Sequence, residues 1–291
     1  MFQSLELFTG DFSNHWNFFM TNIVNVGGVK IGGNKSLVLI AGPCVIESRN
    51  ACMELAKRLV QLAHTEKIPF IFKASYDKAN RSSFDAFRGP GLKAGLDVLA
   101  GIREKLKVPV LTDVHNAHEV AAVAEVVDVI QIPAFLCRQT DLLLAAGHSG
   151  KPVNVKKGQF LAPWDMKNVI GKIASTGNKN IILTERGSSF GYNNLVADMR
   201  SLLAMREFGY PVVFDATHSV QRPGAGGRYT AGDGHWAPYL ARAAVATGCD
   251  GVFIETHLNP AQALSDKENA LPFKALKSLW RLLRGIDELV G

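Results

Sequence analysis

Leu37-Val38-Leu39-Ile40-Ala41, then Cys52, Leu55, Leu59 and Leu62 at helical spacing, then Phe70-Ile71-Phe72-Lys73: this stretch reads as strand, amphipathic helix, strand. The same unit recurs along the chain. β-branched runs fall at residues 37–41, 70–73, 108–112, 127–132, 153–155, 181–184, 212–214 and 252–255. Between them lie amphipathic segments such as Leu195, Met199, Leu202 and Met205. A closing one, Phe273, Leu276, Trp280, Leu283 and Ile286, follows the eighth run. Strict alternation of strand and helix favours a parallel sheet. Eight repeats favour closure into a (β/α)8 TIM barrel over an open doubly wound sheet, and no Gly-x-Gly-x-x-Gly opens the first helix.

Upstream, Val24-Asn25-Val26 and Val29-Lys30-Ile31 alternate around Gly27-Gly28, a hairpin signal that predicts an N-terminal cap on the barrel. Residues 24–291 therefore read as a single barrel domain and residues 1–23 as an arm. Met20 stands just before the well-patterned sequence, so 1–19 are expected to be disordered. They lack a basic n-region and a small-residue cleavage site, which argues against a secretory signal. The chain has 291 residues, 47% apolar and 20% charged, enough for one well-cored globular unit. No apolar run reaches the roughly 18 residues of a membrane span. The net charge of +6 is diffuse, without the Lys/Arg block expected of a nucleic-acid binder. Four dispersed cysteines, Cys44, Cys52, Cys137 and Cys249, predict reduced thiols and a cytoplasmic location.

In a barrel of this kind the active site forms at the carboxyl ends of the strands. Each end here is polar: Cys44 and Glu47 after strand one; Lys73, Ser75, Lys78, Asn80, Arg81 and Ser82 after strand two; Asp113 and His115 after strand three; Gln131 and Arg138 after strand four. Asn154, Lys156 and Lys157 follow, then Glu185 and Arg186, Asp215 and His218, and Glu255 and His257. Lys73, Lys78, Arg81, Lys156 and Arg186 converge in one mouth. Mutual repulsion makes such a cluster costly unless anions fill it, so phosphate or carboxylate ligands are implied. The plainer reading pairs them with Asp77, Asp113 or Glu185 as rim salt bridges.

A second subset, Cys44, His218, Glu255 and Asp266, follows strands one, seven and eight, which become neighbours when a barrel closes. Thiolate, imidazole and two carboxylates make a mixed-ligand set for a divalent metal. Spacing alone does not decide it, because Cys44 also reads as a small buried hydrophobe and Asp266 as a turn cap. Cys52 and Cys249 fall on apolar helical faces, Cys137 is a candidate for a subunit contact, and Trp236 and Trp280 read as packing anchors.

The runs Ile40-Ala41-Gly42-Pro43-Cys44, Phe72-Lys73-Ala74-Ser75-Tyr76-Asp77-Lys78-Ala79-Asn80-Arg81-Ser82-Ser83, Gln131-Ile132-Pro133-Ala134-Phe135-Leu136, Asn154-Val155-Lys156-Lys157-Gly158-Gln159, Thr184-Glu185-Arg186-Gly187, Phe190-Gly191-Tyr192-Asn193-Asn194-Leu195, Asp215-Ala216-Thr217-His218-Ser219 and Ile254-Glu255-Thr256-His257 carry a family resemblance. Over about residues 24–290 the chain resembles the 3-deoxy-D-manno-octulosonate-8-phosphate synthases. The resemblance implies condensation of phosphoenolpyruvate with D-arabinose 5-phosphate and water, in a barrel usually assembled as a homotetramer. It implies Lys73 and Lys78 on the phosphoenolpyruvate carboxylate and Lys156 and Arg186 on its phosphate. Asn80, Arg81 and Ser82 would hold the arabinose phosphate, with Arg138 reaching in from a neighbouring subunit. Ser75 and Gln131 join the substrate-binding set.

Cys44 after Gly42-Pro43 resembles the metal-dependent branch, which implies Fe, Zn, Mn or Co on Cys44, His218, Glu255 and Asp266 and no organic cofactor. Lys78, Asp113 and His115 are candidates for proton transfer, with Cys44 and His218 serving catalysis through the metal. One departure is the strand-seven loop, residues 226–235, which lacks the Ser-Gly-Gly element of many members. The resemblance also implies a role in making the inner-core sugar of lipopolysaccharide. Three other readings stand beside this one. A 3-deoxy-D-arabino-heptulosonate-7-phosphate synthase typically has Lys-Pro-Arg-Thr where this chain has Lys78-Ala79-Asn80-Arg81-Ser82. A Schiff-base aldolase would use a desolvated lysine such as Lys156. A non-catalytic phosphosugar-binding homologue should have lost a ligand or clamp residue.

Overall fold

The computed structural model describes residues 20–227 and 230–290. The expected arm at 1–19, and Arg228 and Tyr229 of the strand-seven loop, lie outside the described residues. Eight parallel strands close on themselves: Val38–Gly42, Phe70–Lys73, Val110–Asp113, Val129–Ile132, Val153–Lys156, Ile181–Glu185, Val212–Asp215 and Gly251–His257. Each pairs with the next, and the eighth pairs with the first from Gly251↔Val38 to Glu255↔Gly42. Around them run the helices α1 (Arg49–Glu66), α2 (Leu92–Leu106), α3 (Val120–Val126), α4 (Thr140–His148), α5 (Met166–Ala174), α6 (Arg200–Arg206), α7 (Ala237–Thr247) and α8 (Phe273–Val290). The TIM barrel expected from the repeat is the fold.

Strand alternation divides the apolar residues into two cores. Leu39, Phe72, Val110, Ile130, Val155, Leu183, Phe214 and Ile254 face outward and pack against the helices. Val38, Ile40, Ile71, Leu111, Val129, Ile182, Val213 and Phe253 fill the barrel interior. The hairpin Val24–Val26 and Val29–Ile31 plugs the amino-terminal end of that interior with Val24, Val26 and Ile31, as the cap reading expected. Each such buried side chain contributes roughly 1.5–3 kcal/mol. Gly27 and Gly28 sit at φ +54° and +95°, the left-handed pair a tight two-residue hairpin needs. Thr21 and Asn22, assigned to the arm by the sequence reading, bond the barrel base: the Asn22 amide donates to Gly209 O, and Thr21 Oγ1 donates to Asp250.

The helical ring is closed by charge as well as packing. On α1, Glu66 accepts two bonds from Arg281 of α8 and pairs with Lys277. The sequence reading differs from the fold at several edges. Strand three begins at Val110 because Pro109 has no N–H to give the ladder. Leu195 is not helical. It pairs with Ser189 in a two-residue ladder, and α6 starts five residues later. Within the strand-seven loop, Gln221 and Arg222 pair with Gly232 and Ala231. Trp280 is buried as an anchor, whereas Trp236 is about half exposed beside His235 and Tyr239.

Two glycines make this packing testable. A Cβ on Gly42, the last residue of strand one, would lie 1.9 Å from Lys73 O of strand two. A Cβ on Gly285, inside α8, would meet nothing within 4 Å. Gly42→Ala should therefore cost ~3 kcal/mol or more through overpacking. Gly285→Ala should gain about 0.5–1 kcal/mol by restricting the unfolded chain. Thermal melts of the two variants check both signs.

Candidate active site

The alternation that sends Ile71, Leu111, Val129 and Phe253 inward sends Lys73, Asp113, Gln131 and Glu255 inward two residues later, at the carboxyl ends of their strands. Lys156 and Asp215 end strands five and seven on the same face. All six are buried. Lys73, Asp113, Gln131 and Lys156 line the floor of a cavity of about 760 Å³, with Glu255 and Asp215 buried behind it. Lys73, Lys78, Asn80, Arg81, Ser82, Asp113, His115, Gln131, Lys156, Arg186, His218 and Asp266 are in its lining, as are Gln159, Gln221, Ser265 and Lys267.

Buried cations need partners. Lys73 Nζ lies 2.6 Å from Glu255 Oε1 and 3.0 Å from Cys44 O, and Lys78 Nζ lies 3.7 Å from the same Glu255 oxygen. Lys156 Nζ is 2.5 Å from Asp215 Oδ2 and 3.9 Å from the centre of the Phe253 ring. The partners are thus Glu255 and Asp215 and not the rim acids Asp77 and Glu185. The guanidiniums differ. Arg186 donates Nη2 to Gln221 Oε1 at 2.6 Å, and Arg81 donates Nε to Phe87 O at 3.0 Å. Arg186 Nη1 and Arg81 Nη2 are buried with no acceptor among the described residues. Burial lowers the pKa of Lys156 and of Arg186, against the pull of Asp215. An anion entering the cavity would relieve that cost.

At the strand-one and strand-eight side, Cys44, Glu255 and Asp266 each present a ligand atom, and these atoms lie within 4.8 Å of one another. Cys44 Sγ lies 3.2 Å from Asp266 Oδ2 and 2.9 Å from Ser265 Oγ. Burial, then Asp266 and Glu255, push the thiol pKa well up, so these neighbours suit a proton or a cation at that point and not a bare thiolate. A soft thiol beside two carboxylates, with Cys44 and Glu255 buried and Asp266 half-buried, fits a divalent transition ion. His218 is outside that trio but adjacent: its Nε2 lies 3.5 Å from Glu255 Oε1 and its Nδ1 2.7 Å from Asp215 Oδ2. The expected fourth ligand is therefore oriented by a carboxylate on its far nitrogen.

Ser75 Oγ donates to Asp113 Oδ1 at 2.5 Å, and His115 Nε2 lies 3.1 Å from Asp113 Oδ2. Behind them Glu119 Oε2 accepts from the His115 amide at 2.8 Å and from Tyr76 Oη at 2.7 Å. Burial opposes the Asp113 charge, but the His115 hydrogen bond and the Lys78 and Lys73 charges outweigh it, and its pKa falls well below the carboxylate range. For His115, burial lowers the pKa, and the Asp113 bond followed by the Asp113 and Glu119 charges raises it by more. Glu119 was missed in the sequence. Its signal was the capping box with Asn116, which the structure forms.

Other expected residues lie elsewhere. Arg138 is exposed and outside the cavity wall, and its carbonyl accepts from Lys172. Lys157 is buried away from the mouth against Gly158 O, Leu161 O and Ser188 Oγ. Glu185 accepts from the amides of Arg186 and Gly187 and from Ser201, which makes it a loop brace. Cys137, a candidate for a subunit contact, is fully buried in the barrel-helix core of its own chain.

Residues 17–290 match the model of the DAHP synthetase I family. The chain is 59% identical over 272 residues to a 2-dehydro-3-deoxyphosphooctonate aldolase of Citrifermentans bemidjiense, covering 94% of this chain and 100% of the relative. It is 60% identical over 271 residues to the protein of that name from Geotalea uraniireducens, covering 93% and 100%. For the one from Geobacter sulfurreducens the figure is 55%, with the same coverage.

The Asp113–His115 pair carries a pH dependence. A raised folded pKa means that the stability from this contact is complete below the unfolded value of about 6.5 and is lost as pH rises through the folded one. NMR titration of the His115 ring should show a midpoint above about 6.5, and Asp113→Asn should lower it. An unshifted midpoint in the variant would contradict the pairing.

Proposed function

This chain belongs to the DAHP synthetase I family and, within it, with the 2-dehydro-3-deoxyphosphooctonate aldolases, and from that premise we propose that it condenses phosphoenolpyruvate with D-arabinose 5-phosphate and water, releasing inorganic phosphate. The observation that carries the reading is the pair of buried guanidinium nitrogens, Arg81 Nη2 and Arg186 Nη1, that lack an acceptor among the described residues in one lysine-rich cavity. Two phosphorylated substrates supply one phosphate for each.

Lys73 and Lys78 hold the phosphoenolpyruvate carboxylate. Lys156 and Arg186 hold its phosphate and stabilise the charge that develops as the C–O bond breaks. Asn80, Arg81 and Ser82 hold the phosphate of the pentose, which places its aldehyde against C3 of the enol. Positioning of this kind contributes about 7–11 kcal/mol. Ser75 orients Asp113, and Gln131, bonded to Asn154 at 3.0 Å, presents an amide to the bound substrate. Asp113, His115 and Lys78 are the groups placed to move protons as water adds at C2.

Cys44, His218, Glu255 and Asp266 would hold a divalent ion drawn from Fe, Zn, Mn or Co. Bound there, the ion supplies Lewis acidity at the aldehyde oxygen. The assembly proposed is a homotetramer, as the family resemblance implies, in which Arg138, exposed three residues after the exposed cavity-wall Phe135, completes a neighbour's site. Four free cysteines support a reducing, cytoplasmic setting. The heptulosonate reading is weaker, since the named relatives carry the octulosonate activity and the Lys78–Ser82 segment departs from its motif. Burial and a lowered pKa would suit Lys156 to a Schiff base, but its bond to Asp215 beside Arg186 on the cavity wall favours the anion clamp.

The test is phosphate release from phosphoenolpyruvate with arabinose 5-phosphate, with erythrose 4-phosphate as control, before and after chelation. Release with the pentose that chelation abolishes and a divalent ion restores is expected. A preference for erythrose 4-phosphate would overturn the substrate, and full activity after exhaustive chelation would overturn the metal.

A further inference from the structure

Asp266 sits on an irregular segment after strand eight, at φ +46°, a left-handed conformation uncommon for L residues but one that Asp tolerates. Its place relative to Cys44 must be set by contacts across the barrel mouth, because 222 residues of chain separate them. Those contacts form a short zipper. Cys44 meets Ser265 and Asp266, and three residues further along, Glu47 Oε1 accepts from the Leu264 amide at 2.8 Å. The other Glu47 oxygen lies 3.6 Å from His257 Nε2. His257 Nδ1 in turn accepts from the Asn259 amide at 3.0 Å, so the near end of the same loop is held as well. Glu47 thus touches both ends of the segment that delivers Asp266, while its own chain delivers Cys44. It is itself outside the cavity wall.

We infer that Glu47 is a positioning residue, a latch that fixes the spacing between Cys44 and Asp266 and so the cation affinity of their site. The inference rests on the metal reading above. Side chains that hold a metal ligand from behind typically change affinity by about 10–100-fold when removed. Glu47 is largely covered, but its contacts are with the last residue of strand eight and the loop after it, so its loss should leave the barrel intact.

The experiment titrates Co²⁺ into the metal-free full-length protein, with a chromophoric chelator as competitor and the thiolate-to-cobalt absorption band as the signature of Cys44 ligation. Glu47→Ala should bind Co²⁺ about 10–100-fold more weakly, with a reduced or shifted band and little change in Tm. Glu47→Gln keeps an acceptor for the Leu264 amide and should recover most of the affinity. Wild-type affinity and band in Glu47→Ala would overturn the latch, as would equal losses in Ala and Gln. A wild-type protein that shows no thiolate band would overturn the metal reading and the latch with it, whereas a normal wild-type band with unaffected variants sinks the latch alone.

Discussion

One carboxylate oxygen, Glu255 Oε1, stands within 2.6 Å of Lys73, 3.5 Å of His218 and 3.7 Å of Lys78. The same residue belongs to the trio with Cys44 and Asp266. Burial penalises its charge, but His218 and the lysines outweigh that and hold its pKa well below the carboxylate range. Everything around it depends on this shared anion. Removing one partner from such a buried cluster costs about 3–5 kcal/mol, because the others are left uncompensated. Glu255 therefore joins the anion-binding and the cation-binding halves of the mouth in a single electrostatic unit, and neither half can be altered without the other registering it.

The barrel makes that unit possible by a simple alternation. The interior residues Ile71, Leu111, Val129 and Phe253 are apolar, and those two positions further along are Lys, Asp, Gln and Glu. A dry, close-packed layer lies directly beneath a layer of charge, so the charges interact through protein more than through water. Gly42 keeps strands one and two close enough for Lys73 to reach both Glu255 and the Cys44 carbonyl. Asp215 plays for Lys156 and His218 the part that Glu255 plays for Lys73, and the Phe253 ring of the apolar layer lies against both lysines.

Much of this was legible in the sequence because it follows a period. Eight apolar runs in alternation with helical spacing define the barrel, and the residues after each run define its mouth. Where residues ended up elsewhere, the reason is local. Lys157 and Glu185 sit one residue out of phase or turn back to brace a loop, and they find partners there. Leu195 looks helical by spacing, but the turn at Phe190–Asn194 pairs it with Ser189 instead. Pairings set by loops were not legible. Nothing in the sequence shows Glu47 reaching Leu264, Glu119 reaching Tyr76, or Arg186 meeting Gln221, because each depends on where two distant segments come to rest.

The central claim is that the surplus of buried positive charge is divided, with Arg186 committed to one phosphate and Arg81 to the other. Calorimetric titration of phosphoenolpyruvate into the wild type, Arg186→Gln and Arg81→Gln measures this directly. A charge-assisted contact is worth about 1.5–3 kcal/mol, so Arg186→Gln should weaken binding by roughly tenfold or more while Arg81→Gln leaves it near the wild-type value. Equal weakening by both variants, or none by Arg186→Gln, would contradict the division and with it the two-phosphate cavity.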